Sequence, residues 1–194
     1  MKRGTRTQVE IDGVWFPAKF LGKGAYSKVF QVGNRAVMYT RGDCAKKVLA
    51  MYLYDRLAHL PEIVQHENVY GLRGDPWHVF SSPFYRDVTR KDKSAYELMT
   101  KMIRFYNKHG GDAPLGIRGM QYFVNTMKEE LDFDNMYRPV KAFPRSVIRA
   151  MQELVNVSSG CGGKISFDIH QKNFGVNDYG TLIFRDIVNP ATAS

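Results

Sequence analysis

"SFDIHQKNFGVNDYGTLIFRD", running from Ser166 to Asp186, places two aspartates, an asparagine and a turn within one small unit. The short apolar runs Phe174-Gly-Val and Thr181-Leu-Ile-Phe flank Asn177-Asp-Tyr-Gly180, whose residues are those of a tight turn. The pattern predicts a loop, a strand, a turn and a second strand. Asp168 and Asn173, five residues apart, fall in the loop, and Asp186 ends the second strand. One reading makes Asp168 and Asn173 a turn whose side chains cap the backbone. The other makes them, with Asp186, a gathering of acid and amide groups within one small unit. His170 reads as a loop residue supporting this segment in preference to a metal ligand, because no second histidine or cysteine stands at ligand spacing.

Towards the N-terminus the chain changes character. From Val14 to Thr40 it alternates and punctuates like a strand meander: "VWFPAKFLGKG", "AYSKVFQV", a Gly33-Asn34 turn, then "RAVMYT". Asp43 is placed to cap a helix with Ala45, Val48, Leu49, Tyr52, Leu53 and Leu57 on its apolar face, ending before Pro61. Strands near Asn68–Leu72 and Trp77–Ser81 complete an expected five-stranded antiparallel sheet. "SSPFYRD" reads as a hinge, which divides the chain into an N-terminal lobe, 1–82, and a mainly helical C-terminal lobe, 83–194. In that second lobe Ser94-Ala-Tyr-Glu97 has the form of a capping box, followed by the stripe Leu98, Met99, Met102, Ile103 and Tyr106. Phe123, Val124, Met127 and Leu131 mark another helix. Pro144 opens a third that carries Val147, Ile148, Met151, Leu154 and Val155. The fold class expected is α+β.

"LGKGAYSKVF", Leu21 to Phe30, sets Gly22 and Gly24 between two predicted strands. A hairpin needing positive φ uses glycine in this way, and so does a loop that lays backbone N–H groups against phosphate oxygens. Taken alone, the glycines do not choose between these. The order is more specific: two-glycine loop, strand, helix, hinge, helical region, Asp-x-x-x-x-Asn, hairpin, Asp. Over nearly the whole chain it resembles the protein kinase-like superfamily. Within it, "SFDIHQKNFGVNDYGTLIFRD" and "LGKGAYSKVF" are most similar to the early serine/threonine protein kinases of short-tailed lytic phages. The resemblance implies a bilobal fold, ATP and Mg2+ as cofactors, and phosphoryl transfer to Ser or Thr of host proteins in the host cell cytoplasm during host takeover. It implies Asp168 as the residue that orients the acceptor hydroxyl and takes its proton, and Asn173 and Asp186 as metal ligands. Gly22, Gly24, Ala25, Tyr26, Ser27 and Val29 would cover the nucleotide.

The sequence departs from that pattern in places that matter. Met38 in "RAVMYT" stands where active kinases carry a lysine contacting the α/β-phosphates, and the expected helix Asp43–Ala58 has no glutamate to pair with one. The two losses are mutually consistent, since either partner alone would be an uncompensated charge. Ser27 replaces a third glycine, Ser166-Phe167 replaces His-Arg, and Ile187-Val188 follows Asp186 in place of Phe-Gly. The chain also ends at Ser194, where helices that bind substrate ordinarily follow; this disfavours a small-molecule kinase of the aminoglycoside type. The alternative reading is a catalytically impaired pseudokinase that binds and inhibits a host protein.

Composition bounds the partners. The chain has 194 residues with 44% hydrophobic content, enough for a core, and its 28 Lys+Arg against 19 Asp+Glu leave a formal net charge of +9. Such a charge favours acidic surfaces, whether nucleic acid, a phosphorylated ligand or an acidic protein, and does not choose among them; the resemblance makes a host protein the first expectation and nucleic acid a secondary one. Cys44 and Cys161 lie far apart and form neither a disulfide framework nor a zinc pattern. No signal peptide and no apolar run of spanning length is apparent, so a soluble intracellular protein with no membrane partner is expected. His59, His66, His78 and His109 read as isolated positions without a role.

Overall fold

A computed structural model describes residues 1–23, 27–41, 57–71, 76–110, 116–137, 143–159, 165–186 and 188–190, the side chains of 130–137, 189 and 190 excepted. It is a mixed α+β structure with an N-terminal antiparallel sheet and, among the described residues, three helices in the C-terminal region. The chain divides into two compact units, Met1–Leu53 with Pro61–Phe84, and Tyr54–Leu60 with Tyr85–Ser194.

The first unit is built on β1 (Arg6–Ile11), β2 (Val14–Lys23), β3 (Ser27–Val32), β4 (Arg35–Thr40), β5 (Val64–Gln65), β6 (Val69–Tyr70) and β7 (Pro76–Pro83). The order is β1-β2-β3-β4-β7-β5, with β6 also on β7, so among the described residues the sheet has seven strands and not the five expected from sequence. The additional long strand is β1. It joins β2 through Asp12 and Gly13, whose φ values of 51° and 75° give the left-handed pair that a tight two-residue hairpin requires. Between β3 and β4, Gly33 has φ 55° and supplies the turn expected at Gly33-Asn34.

Opposed residues of neighbouring strands share a face, so the register sorts the side chains. One face carries Val9, Ala18, Phe20 and Phe30, all buried, with Val32 and Tyr39 packed against them. The Phe20 and Phe30 rings lie 5.5 Å apart and those of Phe30 and Tyr39 5.7 Å apart, close enough for tilted and edge-on aromatic contact. The Tyr39 hydroxyl donates to the Glu10 carbonyl, tying β4 back to β1. A bulge between Phe20 and Gly22 shifts the register, so Gly22 faces Val29, Val29 faces Met38, and Met38 faces Phe80.

In the second unit α1 (Lys93–His109), α2 (Ile117–Tyr137) and α3 (Arg145–Ser159) precede β8 (Ile165–Phe167), a short 3-10 turn (Gln171–Asn173), β9 (Phe174–Val176), β10 (Leu182–Phe184) and β11 (Val188–Pro190). Of the apolar stripes read from the sequence, Met99 and Met102 of α1, Phe123, Val124 and Met127 of α2, and Val147, Ile148, Met151, Leu154 and Val155 of α3 are buried, whereas Leu98, Ile103 and Tyr106 are partly exposed and Phe105, outside the stripe as read, is buried. Phe105 and Phe123 are 5.0 Å apart, and Phe123 reaches Phe167 of β8 at 5.7 Å. The helix core is thereby continuous with the strand that ends at Phe167, next to Asp168.

The expected capping box is not the start of α1. The helix begins at Lys93, with Asp92, two residues before Ser94, in the capping position but making no side-chain cap. The Asp92 carboxylate is committed elsewhere: it takes both guanidinium nitrogens of Arg86 and the backbone N–H and hydroxyl of Thr89. Those donors hold it far below the ordinary carboxylate range. The expected loop His109–Gly119 is shorter as well, since α1 runs through His109 and α2 starts at Ile117. The helix read over 43–58 falls mostly outside the described residues, and Leu57 and Ala58, which are described, are not helical.

Candidate functional site

The hairpin expected from Phe174 to Phe184 is present. Phe174, Gly175 and Val176 pair with Phe184, Ile183 and Leu182. Asn177 closes the turn by accepting the N–H groups of Tyr179 and Thr181 on Oδ1, at 3.1 and 2.9 Å, while Gly180 adopts φ 77°. Upstream, β8 pairs with β11 so that Phe167 faces Val188. Asp168 follows the first of these strands and Asp186 closely precedes the second, so both leave the ladder at the same end.

Asn173 joins them. It is buried, at 9% exposure, and its Nδ2 donates to the Asp168 carbonyl at 2.8 Å and to Asp168 Oδ2 at 3.1 Å. Its own carbonyl accepts the N–H of Arg185 at 2.8 Å and of Asp186 at 3.3 Å. The three residues read as acid, amide and acid are therefore assembled around one asparagine. His170 Nε2 lies 3.4 Å from Asp168 Oδ2, and the His170 carbonyl accepts the Asn173 N–H at 2.9 Å, which suits the supporting position expected of it.

The surroundings fix this loop. The Tyr106 hydroxyl of α1 donates to the Phe167 carbonyl at 2.7 Å, one residue before Asp168. Burial, and then the Asp168 charge, push the Tyr106 phenol above its ordinary range, so it stays a protonated donor. Arg185 donates to the Tyr85 carbonyl at 3.1 Å, to Asp87 at 2.9 Å and to the Lys172 carbonyl at 2.9 Å. It clamps the hairpin to the segment at Tyr85–Asp87, which Val176 also joins through the Arg86 carbonyl. Asn173, Arg185 and Tyr106 thus act as a rigid frame for two aspartates, of which Asp168 is part-exposed and Asp186 exposed.

The donor chemistry suits a hard cation. With Nδ2 turned to Asp168, Asn173 Oδ1 is not spent on that residue, and an amide oxygen beside carboxylates is the ligand type Mg2+ takes. Among the described residues no three His, Cys, Asp or Glu side chains are grouped to hold a metal ion, so such a cation would rest on two carboxylates, one amide oxygen and water.

Of the residues read as nucleotide-binding, Gly24, Ala25 and Tyr26 lie outside the described residues, as do Lys46, Lys47, Cys44 and Cys161. Gly22, Ser27 and Val29 belong to the first unit, and Asp168, Asn173 and Asp186 to the second. A Cβ at Gly22 would meet nothing within 4 Å, and its φ is not left-handed, so neither packing nor turn geometry demands glycine there. The row Gly22, Val29, Met38 and Phe80 carries no cation. Lys23 and Lys28 pair with each other on the opposite face, where the Lys28 ammonium lies 5.0 Å from the centre of the Trp77 ring.

Three histidines read as roleless are structural. His59 is buried between the Leu182 carbonyl, 2.8 Å from Nδ1, and Ser146 Oγ, 3.0 Å from Nε2, and it stacks on Phe184. Burial lowers its basicity, so it is held neutral. His66 Nδ1 is 2.7 Å from Asp12 Oδ2 and its Nε2 2.7 Å from Ser81 Oγ. His78 Nδ1 is 2.9 Å from Asn68 Oδ1. Nothing in their spacing announces these partners, which come from other elements 10 to 123 residues away.

No protein-family model and no curated protein matches the chain. No helix among the described residues is long and apolar enough to cross a membrane.

Proposed function

We propose that the chain is a kinase-like phosphotransferase with a bilobal kinase-like fold, which uses ATP and Mg2+ to phosphorylate Ser or Thr of host proteins during phage takeover of the cell. The observation that carries this reading is the double attachment of Asn173, by its amide to Asp168 and by its carbonyl to the Asp186 N–H. A turn that merely capped its own backbone would not need to reach the second aspartate. In this reading the Asp168 carboxylate orients the acceptor hydroxyl and takes its proton as the new O–P bond forms and the bond to the leaving ADP oxygen breaks. Asn173 and Asp186 hold Mg2+, which when bound neutralises phosphate charge. Tyr106 and Arg185 keep both carboxylates in place by fixing the backbone on either side. Gly22, whose missing Cβ no local contact explains, agrees with a backbone surface that a phosphate approaches.

Calorimetry with Mg-ATP on the wild type and on Asp186→Ala tests the site. Binding that is lost in the variant, with labelled phosphate passing to host extract only when Asp168 is intact, is the expected result. Absence of nucleotide binding sinks the enzyme reading.

A second reading, a pseudokinase acting by occupying a host protein through its basic surface, is favoured by Met38. The lysine missing from its row is not replaced by Lys23 or Lys28, which project to the other face of the sheet. Under this reading Mg-ATP binds without transfer, and a stoichiometric host protein is captured equally by wild type and Asp186→Ala.

A further inference from the structure

A surface cleft lies between α2 and α3. A cleft of about 580 Å3 is bordered by Lys128 of α2 and by Arg145, Arg149, Gln152, Glu153 and Asn156 of α3, over an Ile148 floor that is 7% exposed. The α3 residues recur at helical spacing and form one stripe about 16 Å long at 1.5 Å per residue.

The groups along this stripe are unequally committed. Lys128 donates to Gln152 Oε1 at 2.8 Å, a neutral acceptor that leaves the ammonium charge uncancelled. Gln152 is held further by Gln121, at 3.0 Å, and by Asn156, at 3.3 Å, so its orientation is fixed. Arg145 and Arg149, one helical turn apart and exposed, make no hydrogen bond or ion pair among the described residues. Guanidinium groups present planar paired donors that match phosphate oxygens, and these two stand towards the N-terminal, positive end of α3. At the other end Glu153, which accepts from Asn156 at 3.3 Å, supplies a carboxylate acceptor.

We infer that this cleft binds a small polyhydroxylated compound with a terminal phosphoryl group, of the sugar-phosphate class. Arg145, Arg149 and Lys128 take the phosphate, and Glu153 and Asn156 take hydroxyls. The extent of the stripe argues against a bare anion: at about 16 Å it is far longer than one phosphate. The carboxylate decides against a site for phosphate alone, since an acid beside an anion is unfavourable unless the ligand also brings hydrogen-bond donors. This inference does not rest on the kinase-like reading, whose residues lie on other elements.

Calorimetry on the full chain with ribose 5-phosphate, orthophosphate and ribose tests it. Ribose 5-phosphate is expected to bind, orthophosphate at least tenfold more weakly, and ribose not at all. Arg145→Gln and Arg149→Gln each weaken ribose 5-phosphate at least tenfold, and Glu153→Gln narrows the gap between ribose 5-phosphate and orthophosphate. All three side chains are at the surface of a helix, and thermal melting matched to wild type verifies that each variant folds. Equal affinity for orthophosphate and ribose 5-phosphate would identify an adventitious ion only and overturn the proposal. So would unchanged binding in both arginine variants, no binding by the wild type, or binding that Asp186→Ala abolishes and Arg149→Gln spares.

Discussion

Asn173 holds Asp168 by two hydrogen bonds from a single side-chain nitrogen, one to the carbonyl at 2.8 Å and one to the carboxylate at 3.1 Å. The geometry couples the shape of the loop to the direction of its acid. Losing the buried amide removes both bonds, of which the part-exposed Asp168 carboxylate can regain one from water. Asn173→Ala is expected to lower stability by about 1–3 kcal/mol. Asn173→Asp costs at least as much at neutral pH, since it sets a second carboxylate against Asp168, and its deficit shrinks as pH falls and the pair shares a proton. Urea unfolding of both variants at pH 5 and pH 7.5 measures this; a deficit of Asn173→Asp that does not change with pH refutes the contact.

Gly175 is required for space. A Cβ there would stand 2.7 Å from Tyr85 Cβ and 2.8 Å from Arg185 Cδ, and the first of these is attached to backbone that cannot retreat alone. Gly175→Ala is therefore expected to destabilise the chain by about 1–3 kcal/mol and to weaken the Arg185 clamp. A urea midpoint equal to wild type would show that the hairpin and the Tyr85 segment are not packed this closely.

His59 makes stability depend on pH. Its folded basicity is lowered by burial, so below its unfolded pKa of about 6.5 the unfolded chain binds a proton that the folded chain resists. The sign follows: stability is fully present above that pH and falls as pH is lowered towards the folded pKa, with a slope of at most about 1.4 kcal/mol per pH unit for one proton. Asp12 acts in the same direction at lower pH. The Glu67 N–H and then His66 hold its carboxylate below the ordinary range, and that stabilisation is lost as pH falls through the carboxylate region. Subtracting the pH–stability curve of His59→Gln from that of wild type isolates the first effect. A flat difference between pH 5 and 7.5 is inconsistent with a histidine held neutral.

The elements legible in the sequence were those whose pattern is local. β2 to β4 declare themselves by apolar alternation and by Gly33, and α3 by Val147, Ile148, Met151 and Leu154 on one face. The hairpin around Asn177 and Gly180 is written in its turn residues, and for that reason the assembly of Asp168, Asn173 and Asp186 was legible too. β1 was not, because "RTQVEI" has three polar residues among its first four and attracts notice for charge, although Asp12-Gly13 was a readable hairpin signal. β5, of two residues, was not read and pairs with β7, whereas β6, also of two residues, falls within the strand expected near Asn68–Leu72. The start of α1 was misplaced because Arg86 and Thr89 draw the Asp92 carboxylate into their own network, a choice that Ser94-Ala-Tyr-Glu97 cannot reveal. His59 and His66 are tertiary positions, and their partners lie beyond any sequence window.

Met38 separates the two functional readings. It sits between Val29 and Phe80 in a row that also contains Gly22, and it is only partly buried. A lysine there can lay its methylene stem along the same neighbours and lift its ammonium to the surface. Without a carboxylate partner in the row, Met38→Lys is expected to lose on the order of 1 kcal/mol of stability in the absence of ligand. If this face meets the nucleotide phosphates, the same change raises Mg-ATP affinity about tenfold, equivalent to about 1.4 kcal/mol. Ligand then returns more stability to the variant than to wild type. Phosphoryl transfer that appears only in Met38→Lys would identify the natural chain as a pseudokinase, whereas transfer already present in wild type and changed less than twofold would identify an enzyme that does without this lysine. Unchanged nucleotide affinity, measured by calorimetry on a variant that melts as a folded protein, would mean that the Gly22–Val29–Met38 face does not contact the phosphates and would remove the glycine-loop half of the kinase-like reading.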